Sequence, residues 1–211
     1  MIGWVPWFLA LQAGLFSPAP VTCPAEGMGG DTILNRLKNR ALEPRQAAPQ
    51  TVPGFLRSLT PDLGTGHSRA HFTAAQRAYV EPRERQALAL EGYLLDAKQS
   101  GPEACNCHAI DARDFHVWLG AQPGLTPADS KALRAGAVVV EPTPAGQHAH
   151  PTWRLHLIKK LARDGAKVRV TGWLMYDPEH GSELGKTRGT LWELHPVTRI
   201  EVWSGGRWRE F

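Results

Sequence analysis

From residue 87 onward, five strand-like segments follow one another with a single helix between the third and fourth. The segments are ALALEGYLLDAK, DFHVWLG, AVVVEPTP, KVRVTGWLMYD and GTLWELHPVTRIEVW. DFHVWLG alternates, with Phe115, Val117 and Leu119 on one face and Asp114, His116 and Trp118 on the other, the period of a strand. Thr152 is placed to cap the helix, Trp153, Leu157, Ile158 and Leu161 share its inner face, and Gly165 ends it. This β-β-β-α-β-β order is that of a five-stranded OB-like barrel with its helix at the bottom. Gly92 predicts a bulge or sharp bend in the first strand, and Pro196 a break or bulge in the last. The fold class is therefore mainly β with helices. No internal repeat competes with it.

Three regions are expected: residues 1–22 as a signal peptide, 23–86 as a helical, Pro-rich N-terminal extension, and 87–211 as the barrel domain. The run from Ile2 to Phe16 is apolar, too short to span a bilayer comfortably, and followed by the small residues Ser17 and Ala19. No Lys or Arg precedes it, so a buried or membrane-surface segment is the competing reading. The expectation is a secreted or periplasmic protein with no stable transmembrane anchor. Within the extension, Asp31 is placed to cap a short helix over Ile33, Leu34 and Leu37, and Thr73 another over Ala74–Val80. The stretch between them is irregular, with a turn near Gly54-Phe55-Leu56.

The net charge is +4, yet residues 88–211 carry 15 Lys and Arg against 14 Asp and Glu. A protein that holds nucleic acid by its phosphates concentrates basic residues on one face. Charge therefore does not favour nucleic acid, which stays a candidate ligand beside an oligosaccharide. The three cysteines, Cys23, Cys105 and Cys107, do not make a disulfide framework. A bridge from Cys23 to either of the others is open, and the C-x-C spacing is poor for structural zinc.

Gly185-Lys186-Thr187 ends like a phosphate-binding loop, but the glycine required five residues before Gly185 is His180, and the residues after Thr187 are strand-like where that loop needs a helix. It reads as a loop between the fourth and fifth strands. In an OB fold that loop flanks the ligand groove, which puts Lys186 and Arg188 at the groove mouth. The candidate ligand-binding residues are His116, Trp118, Glu141, Lys186, Arg188, Trp192 and His195. Among them His116, Glu141 and His195 form a candidate divalent-metal set, because imidazole and carboxylate suit such an ion and leave positions for water. That metal is the one cofactor the sequence suggests. Three functions are open: an exported binding module for an unidentified ligand, a metal-dependent hydrolase or phosphoesterase with Lys186 or Arg188 neutralising developing charge, and a structural or interaction module.

The segments GPEACNCH, DFHVWLG, VRVTGWLMYDPEH and GKTRGTLWELHPV, with LNRLKNR ahead of them, resemble a set of uncharacterised secreted bacterial proteins with an OB-fold-like barrel. The resemblance covers residues 31–40 and 88–203. It implies export and a barrel, but no activity. In that set the cysteine loop reads PESxNCH, which matches Cys107 and His108 and leaves Cys105 as a departure. The element order is also similar to staphylococcal-nuclease-like folds, but no cluster of acidic ligands with catalytic arginines is present, so nuclease activity is not carried over.

Overall fold

The computed structural model describes residues 23–59 and 68–211; the expected signal peptide lies outside the described residues. Five strands close a barrel: β2 (Ala87–Gln99), β3 (Phe115–Gly120), β4 (Val138–Val140), β5 (Lys167–Tyr176) and β6 (Trp192–Ser204). β2 pairs antiparallel with β3, β3 with β4, β5 with β6, and β5 back with β2, while β4 and β6 run parallel. This is the expected OB-like connectivity. β1 (Ala48–Thr51) adds a parallel strand to β2, and β7 (Arg207–Glu210) forms a hairpin with β6. The turn of that hairpin is Gly205-Gly206, both at positive φ, as a tight two-residue hairpin turn requires.

Closure depends on β2 serving two neighbours. Residues 87–93 pair with β5, and residues 93–99 pair with β3. The handover falls at Tyr93, next to Gly92, and a register shift lies just beyond it, between Leu94 and Asp96. A Cβ at Gly92 would stand 2.4 Å from the Gly120 carbonyl oxygen and 3.0 Å from a Val52 methyl carbon. The first contact is with backbone, so the strand crossing itself must move to accept a side chain. We expect Gly92→Ala to cost about 1–3 kcal/mol, the usual cost of overpacking, measured as a lower urea midpoint. An unchanged midpoint would mean that the handover is not tightly fixed.

The barrel interior is filled by alternate residues, including Leu90, Val117, Leu119, Val140, Val170 and Leu194. The helix between the third and fourth barrel strands, α6 (Leu155–Arg163), contributes Ile158 and Ala162 to this core. It begins later than Thr152 suggests, with Arg154 at its N-cap and Gly165 at positive φ beyond its end. Trp153, just before it, is fully buried in the same core. Two short helices carry no clear signal in the sequence: α4 (Pro127–Leu133) and α5 (Pro144–Ala149). Each opens on a Thr-Pro pair, in which the Thr hydroxyl accepts from a backbone N–H and Pro takes the first helical position.

In the extension, Asp31 caps α1 (Thr32–Lys38), accepting from the N–H groups of Ile33 and Leu34. α2 (Val52–Ser58) stands where a turn was expected, and Val52 and Phe55 join the barrel core. Thr73 and Gln76 form a reciprocal capping box on α3 (Ala74–Arg83), which runs past the expected Val80. The extension is thus built onto the barrel, with β1 beside β2 and α1 beside β6.

Candidate metal centre

Strand alternation places the candidate residues. On β3, Phe115, Val117 and Leu119 enter the barrel, which turns His116 and Trp118 outward. On β6, Trp192 and Leu194 enter it, which turns Glu193 and His195 outward. Glu141 leaves β4 on that same outer side: its N–H donates to the Leu194 carbonyl, and its own carbonyl accepts from the Val197 N–H. In a free-standing barrel this outer face would meet water. Here it is covered. The 177–190 loop folds over it, with the Trp118 indole N–H donating to the Thr187 carbonyl at 2.7 Å and the Gly189 N–H to the Ala137 carbonyl at 2.7 Å. From the extension, Lys38 reaches Glu103 at 3.0 Å and Asp177 at 3.6 Å.

Beneath this cover lies a dense group of ionisable side chains. His116 Nδ1 is 3.0 Å from Glu141 Oε1. His195 Nδ1 is 3.3 Å from Glu141 Oε2 and 3.6 Å from Glu193 Oε1, and its Nε2 is 3.5 Å from Asp114 Oδ2. Arg188 Nη1 lies 3.3 Å from Glu193 Oε2. Asp114 and His195 are both 0% exposed. The His195 contacts are within ion-pair range, but neither ring nitrogen has hydrogen-bond geometry to a partner, and His116 Nε2 and Asp177 Oδ2 likewise make no hydrogen bond. Buried polar atoms are normally satisfied, and these four, with Arg188 Nη2, lie in one cluster.

The electrostatics agree. Five carboxylates, from Glu103, Asp114, Glu141, Asp177 and Glu193, face the two permanent cations Lys38 and Arg188. Burial pushes the Asp114 carboxyl up to about 7, against the pull of His195 and with Glu141 and Glu103 adding to the rise. For Glu141, burial is outweighed by the hydrogen bond from His116 and the charges of His195 and Lys38, which hold it well below the usual carboxylate range. Burial works against a charged His195, yet Glu193, Glu141 and Asp114 raise it to about 8. Lys38 is raised in the same manner by Asp177 and Glu103 against its burial. The rises at His195 and Lys38 report the carboxylates around them, the fall at Glu141 reports the two imidazoles and Lys38 beside it, and the rise at Asp114 reports burial first.

Asp114, Glu141 and His195 offer one donor atom each, all within 4.8 Å of one another. The expected set held His116 in place of Asp114. His116 instead bonds the Glu141 carboxylate through its Nδ1 at 3.0 Å. Asp114 lies just before β3 on the face that the alternation gives to His116 and Trp118, so the signal for it was present. A second group, Glu103, Cys105 and Asp114, shares the Asp114 carboxylate, but burial pushes the Cys105 thiol up and away from the thiolate a metal needs.

The other candidates separate. Trp192 packs inside the barrel, edge-on to Tyr176 at 5.1 Å. Arg188 is 0% exposed and lies between Glu183 and Glu193 rather than at an open mouth. Lys186 is exposed on its loop, held to the Ser182 carbonyl at 3.0 Å. Gly185 has positive φ in a turn closed by its N–H to the Arg188 carbonyl, so the Gly-Lys-Thr stretch is a loop turn and not a phosphate cradle. Trp118 is buried on the outer face with the Arg134 guanidinium 4.1 Å from its ring centroid. No family model matches the chain, and comparisons with curated proteins and with solved structures returned no match.

Proposed function

We propose that this protein is an exported metal-binding barrel that holds one divalent transition-metal ion through Asp114, Glu141 and His195. The observation that carries the reading is the convergence of these three buried donors, with neither His195 nitrogen hydrogen-bonded. Two carboxylates and an imidazole suit zinc or manganese better than calcium or magnesium, which prefer all-oxygen sites. Export is supported by the apolar run from Ile2 to Phe16 and by the Cys23–Cys107 disulfide, a bond that persists in oxidising compartments. Among the described residues no helix is long and apolar enough to cross a membrane.

Burial decides what the ion does there. Turnover requires an open coordination position and a path for substrate, whereas His116, Trp118, Glu141, Arg188, Trp192 and His195 are all buried. An oligosaccharide or nucleic acid meets the same cover. The ion's role is to bind the elements that meet around it: β3, the end of β4 and β6, with Lys38 of α1 and Asp177 of the covering loop packed beside them.

Calorimetric titration of the dialysed full chain with zinc, and separately with manganese, tests this. We expect one ion per chain for at least one of the two, and a gain in stability of about 2.7 kcal/mol when free metal reaches a hundred times Kd. His195→Gln and Asp114→Asn should each weaken binding at least a hundredfold while the circular-dichroism spectrum stays native. Absence of saturable binding to the wild-type chain, or binding that survives both substitutions, would sink the reading.

A further inference from the structure

A cavity of about 570 Å³ opens between α1, α3 and β5, within the size range of small-molecule pockets. Its walls are apolar, from Leu37, Phe72, Val80 and the indole of Trp173. Two further apolar side chains stand uncovered at its lip, Ile33 at 55% and Leu42 at 77% exposure. One such residue is ordinary on a surface. Two at the mouth of one apolar cavity extend its binding wall.

The charges around this cavity are unequal in number and in commitment. Arg40, Arg69, Arg77 and Arg85 line it, against Glu81 and Glu84. Arg69 and Glu84 neutralise each other in a buried pair. Arg40 spends its guanidinium on the backbone carbonyls of Leu37, Glu84, Leu174 and His195. Arg77 makes one long bond, 3.3 Å, to the Arg69 carbonyl. Arg85 has no hydrogen bond or ion pair among the described residues. The cavity therefore presents a net positive rim, with two exposed arginines free to turn toward a guest.

We infer that this cavity binds a small amphipathic anion, a carboxylate carrying a hydrocarbon body, whose apolar part lies against Trp173, Phe72 and Val80 and whose head group is met by Arg77 and Arg85. Arginine suits that head group because its planar fork matches a carboxylate in two parallel bonds. Arg40 provides a fixed cationic backdrop over Trp173, its guanidinium 5.2 Å from the ring centroid. The inference does not rest on the metal reading: its residues and those of the ionic cluster are different.

The full-length chain is titrated with dodecanoate, dodecanol and dodecyltrimethylammonium below their micelle concentrations, following tryptophan fluorescence and heat. Dodecanoate is expected to bind at one per chain, at least tenfold more tightly than the cationic amphiphile. The double substitution Arg77→Gln/Arg85→Gln, at exposed positions, should weaken dodecanoate about tenfold and leave dodecanol unchanged. Equal affinity for the two charged amphiphiles overturns the proposal. So does dodecanoate binding indifferent to the double substitution, or a chain that binds none of the three.

Discussion

Glu84→Ala is expected to lower stability by about 3–5 kcal/mol, the cost of leaving a buried charge without its partner. Glu84 ends α3, and its side chain is almost wholly enclosed, as is that of Arg69 opposite. The two meet in a fork: Arg69 Nη1 donates to Glu84 Oε1 at 2.7 Å, and Nη2 donates to Oε2. Both groups also grip β5, since the Tyr176 N–H donates to Glu84 Oε1 at 3.0 Å and Arg69 Nη1 donates to the Tyr176 carbonyl at 2.9 Å. Alanine at 84 strands the guanidinium and the Tyr176 N–H together. For a chain of this size the loss corresponds to a fall of roughly 6–20 °C in the thermal midpoint. The double substitution Arg69→Met/Glu84→Leu removes both charges at similar volume and should recover most of the loss, because an ion pair taken out whole costs far less than one cut in half. A loss below about 1 kcal/mol for Glu84→Ala would assign the pair the weight of a solvent-exposed one and would leave the docking of α3 to other contacts.

Much of this barrel is legible in the sequence because strand alternation is a local signal. Asp114-Phe115-His116-Val117-Trp118 and Trp192-Glu193-Leu194-His195 each declare one apolar and one polar face, and the barrel sorts them inside and out accordingly. Asp31, Thr73 and Gly165 mark helix ends through bonds and torsions that span only a few residues. The cover over the outer face has no such signature. It is made by contacts between distant segments, such as the Trp118 indole with the Thr187 carbonyl and Lys38 with Asp177. For that reason Arg188 reads as a loop cation in the sequence and is a buried partner of Glu193 in the fold. The same limit applies to the amphipathic cavity, which is assembled from α1, α3 and β5 and has no contiguous motif. Cysteine pairing is also non-local: the choice of Cys107 over Cys105 is made by the loop, which turns back through positive φ at Cys107 and His108.

Cys23→Ser/Cys107→Ser should lower the unfolding free energy by about 4–5 kcal/mol, the largest entropic effect available to a single bond in this chain. The bridge joins residues 84 apart. By the chain-entropy account, a cross-link over such a span removes that much conformational freedom from the unfolded state. Urea unfolding of the double variant in air, beside wild type under reducing conditions, measures it; agreement between the two assigns the effect to the bond and not to the serines. The bond also acts locally. It holds the start of the extension against the turn at Ala104–Asn106, where the Met28 N–H donates to the Ala104 carbonyl at 2.8 Å and Asn39 Nδ2 to the Cys105 carbonyl at 2.7 Å. That turn is followed by Asp114 and preceded by Glu103, the partner of Lys38. If the bridge worked only on the unfolded chain, metal affinity would survive its loss. We expect affinity to fall as well, because the bond fixes the turn whose Asn106 Nδ2 donates to Asp114 Oδ1 at 3.2 Å, one of the three proposed metal donors. A double variant that loses stability yet binds metal as wild type does would confine the disulfide to the unfolded state.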